Sequence, residues 1–267
     1  MYPSRIVCLT EETTETLYLL GEDWRIVGIS GFTVRPARAR KEKPKVSAFI
    51  SARIERICEL RPDLVLGFSD LQADIAADLI RRGIDVHVFN HRDVAGILRM
   101  IRVLGGMIGC QAKAEALCQQ LTAGLEEIRQ AATGFAVRPR VYFEEWDEPL
   151  IVGSRWVSEL VQIAGGVECF PQYAARSLGK DRIIADPAEV IAAGPDVILG
   201  SWCGKKFRPE LVRARTGWGH IPAVADNELH EVKSSLILQP GPAALTDGIG
   251  AIHRIIGAWC ERRAKQG

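Results

Sequence analysis

The chain has 267 residues, a formal net charge of +1, 47% hydrophobic residues and 25% charged residues. This composition is that of an ordinary soluble globular protein and excludes a disordered or fibrous chain. The near-zero net charge gives no sign of a nucleic-acid or acidic-membrane partner. The sequence also has no apolar run close to the ~20 residues that cross a bilayer, so no transmembrane segment is predicted.

Strands and helices alternate in the first part of the chain. We predict strands at 5–9, 26–29, 64–66 and 85–89, and helices at 12–20, 55–61, 71–82 and 93–105. Repeated strand–helix–strand order predicts a mainly parallel sheet with helices on both faces. The basic stretch at 35–45 is interpreted as a solvated loop, with a phosphate-binding patch as the alternative.

A run of strong helix formers at 110–132 follows, with little to interrupt it. Apolar residues recur there at steps of three and four and form one stripe: Ala114, Leu117, Leu121, Leu125 and Ile128. No Gly/Ser-rich linker flanks the run, which argues against freely moving domains. We therefore predict one long rigid helix that connects two lobes.

The second part of the chain repeats a pattern of the first. Segment 54–67 reads IERICELRPDLVLG and segment 188–200 reads AEVIAAGPDVILG, so each has a glutamate (Glu55, Glu189), a Pro-Asp turn and a buried strand. Two copies about 130 residues apart, the size of one domain, predict two similar α/β lobes. The predicted division is an N-terminal lobe at 1–109, a connecting helix at 110–137 and a C-terminal lobe at 138–267.

Metal and catalytic signatures are missing from the sequence. Its seven cysteines form no CxxC pair and its five histidines no metal-binding spacing, so neither a disulfide framework nor a metal site is predicted. There is no GxSxG elbow and no Gly-rich phosphate loop after a strand. We predict a protein that is not an enzyme and has no resident cofactor.

Several segments, in order along nearly the whole chain, resemble the cobalamin/iron-siderophore class of solute-binding proteins of ABC importers, which includes the vitamin B12-binding type. They are RIVCLTEETTETLYLLG, the Glu55–Gly67 segment, RRGIDVHVF, EEWDEPLIVGSRWVSELVQIAGG, GWGHIPAVADNELHEV and PGPAALTDGI. The resemblance implies a class III periplasmic-binding-protein fold, with two Rossmann-like lobes, parallel-type sheets and one long rigid connecting helix. It also implies a monomer that holds its ligand between the lobes without catalysis.

The resemblance further implies that one glutamate on each lobe docks into arginines of the permease subunits, and Glu55 and Glu189 match those positions. The alternative is that both simply face solvent on amphipathic helices. The family implies a periplasmic or cell-surface location. The first residues lack a signal-peptide pattern and the seven cysteines are scattered, which leaves a cytoplasmic location open.

Ligands of open α/β sheets bind beyond the carboxyl ends of the strands, which marks the candidate ligand-binding residues. These are Glu11, Phe32, Phe49, Phe68, Asn90, His91, Glu145, Trp146, Arg155, Trp156, Trp202 and Lys205. Three tryptophans near strand ends suit a flat ligand such as a corrin ring, although Trp146 and Trp156 could instead cap the core. We predict Phe32 and Phe49 opposite them, a polar rim of charged residues (Glu145, Arg155, Lys205), and purely structural roles for Trp24, Trp218 and Trp259.

The sequence thus predicts the solute-binding component of an importer, with a cobalamin-like corrinoid as its ligand. A ferric siderophore or haem is the alternative ligand, and His91 is considered as an axial ligand to a corrinoid cobalt or haem iron. A cytosolic corrinoid or tetrapyrrole carrier, or an enzyme recruited from this fold, is the alternative function.

Overall fold

The computed structural model describes residues 1–265, which contain two five-stranded sheets in two compact units. Unit 1 comprises residues 1–91, 95–121 and 240–242; unit 2 comprises residues 92–94, 122–239 and those from 243 onward. The simpler division into lobes and a connecting helix stays a prediction. Its last two residues, 266 and 267, lie outside the residues that the structure describes. Within residues 1–265, every helix is too short or too polar to span a bilayer.

The first half of the chain forms one parallel sheet with strand order β3-β2-β1-β4-β5. Its elements are β1 Ile6–Cys8, α1 Glu11–Leu19, β2 Ile26–Ser30, α2 Ala39–Glu42, β3 Lys45–Ser47, α3 Ile54–Glu59, β4 Leu64–Phe68, α4 Ala73–Arg81, β5 Val86–Phe89, α5 Val94–Met107 and α6 Gln111–Ala132. The predicted α/β fold is confirmed. All five residues of β4 are buried, as expected for a central parallel strand covered on both faces.

The second half forms a sheet with strand order β10-β9-β6-β7, and β8 also pairs with β6. Its elements are β6 Arg140–Asp147, β7 Leu150–Val152, α7 Arg155–Ile163, β8 Val167–Glu168, α8 Pro171–Ala174, α9 Ala188–Ala193, β9 Val197–Gly200, α10 Pro209–Arg213, α11 Pro222–Ala225, β10 Leu229–Glu231, α12 Ser234–Ile237 and α13 Ile249–Ala264. A π-helical turn, Ala244–Gly248, precedes α13.

One feature of this second sheet differs from the prediction. Strands β6 and β7 are antiparallel, so the sheet is mixed rather than parallel throughout. The hairpin forms because β6 continues to Asp147, and a two-residue turn (Glu148, Pro149) returns the chain along it. The apolar run at 141–143 stops before Glu144, so the sequence gives no sign of this continuation.

The repeated Pro-Asp turn has a common structural role in both units. Asp63 accepts hydrogen bonds from the backbone N–H groups of Ser4 (2.8 Å) and Arg5 (2.9 Å), just before β1. Asp196 accepts one from the backbone N–H of Arg140, 2.8 Å away, at the start of β6. Burial opposes ionisation of Asp63, but these hydrogen bonds lower its pKa below the ordinary value. Each copy of the motif therefore anchors the amino end of the neighbouring strand.

Helix α6 is continuous over 22 residues, which confirms the predicted long helix. Its buried stripe consists of Ala114, Cys118, Leu121 and Leu125, whereas Leu117 and Ile128 are only half-buried. Within unit 1, α5 approaches α6 so closely that a Cβ on Gly105 would lie 2.3 Å from the Cβ of Ala114. Glycine at 105 is thus what permits this helix contact.

Candidate functional site

A pocket of about 390 Å³ opens at the carboxyl edge of the unit 2 sheet. It is lined by the segment after β9 and by the end of β10 with the residues that follow: Ser201, Trp202, Lys205, Lys206, Glu231, Val232, Lys233, Ser234 and Ser235. This is the position that the strand-end rule predicts for a ligand. We call it the lysine pocket.

A buried ion pair supports the wall of the lysine pocket. Glu144 on β6 has no exposed surface, and its carboxylate accepts hydrogen bonds from Arg215 Nη1 and Nη2 at 2.6 and 2.8 Å. It also accepts one from the Trp202 indole N–H at 2.9 Å. Burial opposes the charge of Arg215, but the hydrogen bonds to Glu144 raise its pKa above the ordinary value. The guanidinium of Arg215 therefore stays charged, and the hydrogen bond to Glu144 fixes the ring of Trp202.

Lys205 brings together two of the predicted tryptophans. Its Nζ lies 2.5 Å from Asp147 Oδ1, 4.3 Å from the ring centroid of Trp146 and 5.0 Å from that of Trp202. A cation over two indole faces adds attraction beyond the single ion pair. Three predicted residues thus form one cluster at the carboxyl edge of unit 2.

The three tryptophans proposed as ligand contacts differ in exposure. Trp202 is 2% exposed and Trp156 is 7% exposed, and the Trp156 indole N–H donates to the Ile237 carbonyl at 2.8 Å. Only Trp146 is half-buried. Large aromatic rings pack into the core of unit 2 because each N–H finds an acceptor there. The burial of Trp156 fits the alternative that it caps the core, while ligand contact by these residues stays a prediction.

The charged residues predicted as a polar rim are engaged within unit 2. Glu145 accepts from Arg182, with nitrogen–oxygen distances of 2.7 and 2.9 Å, and Arg182 is itself buried. Arg155 donates to Glu159 at 3.0 Å and lies 3.8 Å from Asp93. Their first structural role is therefore to pair with neighbours, and a role in ligand orientation stays a prediction.

In unit 1 the carboxyl edge carries exposed apolar side chains. Phe32, Ile50 and Leu71, which follow β2, β3 and β4, are 56%, 71% and 58% exposed. Phe49 is half-buried and Asn90 exposed, whereas Phe68 is buried. Large apolar side chains with this exposure, clustered at strand ends, are typical of ligand or partner contact. The sequence predicted Phe32 but missed Ile50 and Leu71.

His91 is a packed residue of unit 1. It is 5% exposed, and its Nε2 lies 2.7 Å from the carbonyl oxygen of Pro240. A carbonyl only accepts hydrogen bonds, so this nitrogen carries the proton and is not a free ligand for a metal. Nε2 is thus engaged within unit 1, and the axial-ligand role of His91 stays a prediction. Within residues 1–265, no group of three His, Cys, Asp or Glu side chains could hold a metal ion.

Two buried glutamates follow β1 in unit 1. Burial, and then repulsion from Glu12 and Glu15, raises the pKa of Glu11 to about 8. Burial raises the pKa of Glu12 to about 7, although the Thr10 hydroxyl donates to it. The packing is tight, since a Cβ on Gly241 would lie 2.5 Å from the Cβ of Glu12. Glu11 is one of the candidate ligand-binding residues, and Glu12 follows the same strand end.

The two repeated glutamates differ in their surroundings. The Glu55 side chain is 76% exposed and pairs with Arg82 at 3.0 Å. Glu189 is half-buried and accepts from the Tyr173 hydroxyl at 3.0 and 3.2 Å. Full exposure was therefore the right expectation for Glu55 only.

Much of the basic stretch at 35–45 interacts within unit 1. Arg35 donates to Glu15 at 2.8 Å, Arg40 donates to the carbonyls of Gly31 and Thr33, and Lys43 donates to that of Asp23. These contacts fit a structural surface loop better than the alternative of a phosphate-binding patch. Trp24, predicted as structural, is 61% exposed and stacks under Arg25 instead of joining the core.

Comparison with known proteins identifies the family. The model of the periplasmic binding protein family matches residues 6–236. An uncharacterised ABC transporter substrate-binding lipoprotein of Bacillus subtilis is 25% identical over 92% of this chain and 78% of its own length. A vitamin B12-binding protein of Vibrio parahaemolyticus is 22% identical over 90% of this chain and 85% of its own length.

A solved structure shows the same fold. A periplasmic haem-binding protein of Roseiflexus sp. RS-1 superposes with a TM-score of 0.78 at 23% identity, covering 95% of this chain and 99% of that one. The chain belongs to the periplasmic binding protein family. It is therefore a solute-binding protein and not an enzyme, and the resemblance found in the sequence is confirmed.

The Glu144–Arg215 pair gives a stability prediction. Arg215→Ala leaves a buried carboxylate without its cation, so we expect a loss of about 3–5 kcal/mol in the free energy of unfolding. Arg208→Ala breaks the exposed pair with Glu210 and should cost at most about 1 kcal/mol. Urea unfolding followed by circular dichroism measures both. Equal, small losses would contradict the assignment of Glu144 and Arg215 as a stabilising buried pair.

The raised pKa of Glu12 gives a pH prediction. Between the ordinary value of 4.5 and about 7, the folded protein holds a proton that the unfolded chain has lost. The free energy of unfolding should therefore fall as pH rises through this window, by up to about 3 kcal/mol from this group, and level off above it.

Glu12→Gln removes the titrating group, so the variant should show a shallower fall in urea midpoint between pH 5 and pH 8. Glu127→Gln, on the exposed face of α6, is the matched control and should keep the wild-type slope. An unchanged slope in Glu12→Gln would show that Glu12 is ionised throughout.

Proposed function

We propose that this periplasmic binding protein is the solute-binding component of an ABC importer and that it carries a bulky planar chelate, with a corrinoid as the first candidate. The name of the Bacillus relative supports the importer, and that of the Vibrio relative supports the corrinoid. The haem-binding neighbour shares the fold at low identity, which keeps haem, and with it ferric siderophores, as alternatives.

The proposal rests on the side chains that lie at the carboxyl edge of each sheet. Unit 2 places Trp146, Trp202 and Lys205 together beside a pocket of about 390 Å³. Unit 1 exposes three apolar side chains at the same edge of its own sheet. The exposed apolar side chains of unit 1 offer surface for a bulky organic ligand, and the mostly polar lining of the lysine pocket offers groups that can fix its orientation.

The proposed importer sets the location and the partners. The solute-binding component would act outside the cytoplasmic membrane, as the lipoprotein relative suggests, and dock on permease subunits as a monomer. Cell fractionation with an antibody checks this location. Recovery of the protein only from the cytoplasm would favour the intracellular carrier instead.

Ligand binding can be tested by absorption. We expect the protein to retain the visible spectrum of cobalamin after desalting, and haem and ferric siderophores provide the comparison. Trp146→Ala should weaken binding about tenfold, because a half-buried aromatic face contributes ~1–3 kcal/mol when a ligand covers it. Trp24→Ala, at an exposed tryptophan outside the carboxyl edge, is the control. Failure to retain cobalamin, with retention of another chelate, would replace the corrinoid.

Docking can be tested separately from binding. Glu55→Ala combined with Glu189→Ala should impair transport and leave ligand affinity unchanged, because carboxylate–guanidinium pairs mainly set register and encounter rate. The control is Glu59→Ala with Glu210→Ala, which removes one glutamate of an exposed intramolecular ion pair from each unit. Uptake of radiolabelled ligand and fluorescence titration are the two readouts. Loss of ligand binding in the first double variant would place these glutamates in the ligand site instead.

A further inference from the structure

The lysine pocket has an excess of positive charge. Among its lining residues are the three lysines Lys205, Lys206 and Lys233, against the single carboxylate of Glu231. The lysines come from two separate segments, one after β9 and one after β10, which meet because these strands are parallel neighbours. The cations therefore gather at the end of the sheet where ligands bind.

Two of the three lysines have no acidic partner. Lys205 pairs with Asp147 at 2.5 Å, and Glu231 Oε1 accepts the backbone N–H of Phe207 at 3.1 Å. Within residues 1–265, neither Lys206 nor Lys233 forms an ion pair, and both side chains are exposed. Their positive charges are thus not neutralised inside the protein.

A buried hydroxyl group lies at the same pocket. Ser201 is 1% exposed and its Oγ has no hydrogen-bond partner among residues 1–265. An unsatisfied buried hydroxyl costs free energy unless a ligand pairs with it. Ser201 lines the lysine pocket, so a ligand atom there can accept a hydrogen bond from this hydroxyl. The hydroxyl and the two ammonium groups are all donors.

We infer that the lysine pocket binds an anionic oxygen group of the ligand, a carboxylate or a phosphate, through Lys206, Lys233 and the hydroxyl of Ser201. This inference rests on the proposed function, since it takes the carboxyl edge of unit 2 as a ligand surface. The inference limits the candidate ligands to chelates that carry a negatively charged group at their periphery. A ligand that presents only amides here leaves two lysines uncompensated.

The pocket can be tested without knowing the ligand. Citrate and inorganic phosphate are titrated separately at constant ionic strength while tryptophan fluorescence is followed, because Trp202 lines the pocket. The anion that binds with the higher affinity is the preferred one. Lys206→Gln with Lys233→Gln should weaken its binding about tenfold, as expected for the loss of two partly exposed charges. Lys180→Gln with Lys265→Gln, two exposed lysines elsewhere in unit 2, should bind as the wild type does.

Ser201→Ala provides a second variant. It removes an unsatisfied hydroxyl and should fold at least as well as the wild type, while weakening anion binding several-fold. If neither anion binds the wild type, or the pocket and control variants lose affinity equally, the inference is overturned. Unchanged anion affinity in Ser201→Ala would also overturn it, since the hydroxyl is part of the proposed site.

Binding of different chelates distinguishes a failure of this inference from a failure of the proposed function. Cobalamin carries a phosphodiester, cobinamide lacks it, and haem carries carboxylates. The lysine variant should lose affinity for a retained chelate that has the anionic group and should keep its affinity for cobinamide. Equal losses for cobalamin and cobinamide would refute the pocket. Anion binding to the pocket without retention of any chelate would refute the proposed ligand class and leave the pocket in place.

Discussion

The carboxylate of Glu144 must be neutralised inside unit 2, and this requirement fixes three segments of the chain. It lies on β6 with no exposed surface, where an unpaired charge would cost several kcal/mol. Arg215 supplies the cation, and the Trp202 N–H supplies a further hydrogen bond. Trp202 in turn lies under the cation of Lys205. The wall of the lysine pocket therefore depends on one ion pair beneath it.

Unit 1 holds acids at its carboxyl edge by a different means. Burial is the main cause that raises the pKa values of Glu11 and Glu12. The close partner of Glu12 is the hydroxyl of Thr10 rather than a guanidinium group. Near pH 7 Glu11 is therefore mostly protonated and Glu12 about half protonated, and a protonated carboxyl can donate a hydrogen bond. Unit 2 presents ammonium groups at the corresponding edge of its sheet. The carboxyl edges of the two sheets thus carry different chemistry on a similar strand arrangement.

The sequence predicted the elements whose signal is local. The Pro-Asp turns and apolar runs located β4 and β9, and the uninterrupted run of helix formers located α6. The β6–β7 hairpin was missed because Glu144, Glu145 and Asp147 interrupt its apolar pattern. The sequence left the burial of Trp156 open and did not predict that of Trp202, because each depends on an acceptor far along the chain, at Ile237 and Glu144. Strand-end rules indicate an edge of each sheet, but not which side chains are exposed there.

The composition of the two units has a genetic consequence. Unit 1 is completed by residues 240–242 and unit 2 by residues 92–94, while α6 contributes to both. A single crossover between the genes of two relatives therefore cannot exchange one intact unit. The half that brings Glu12 has to meet a glycine at 241 from the other half, since any Cβ there would overlap that glutamate. A crossover between these two positions therefore preserves the packing only when the parent that supplies residue 241 has glycine there.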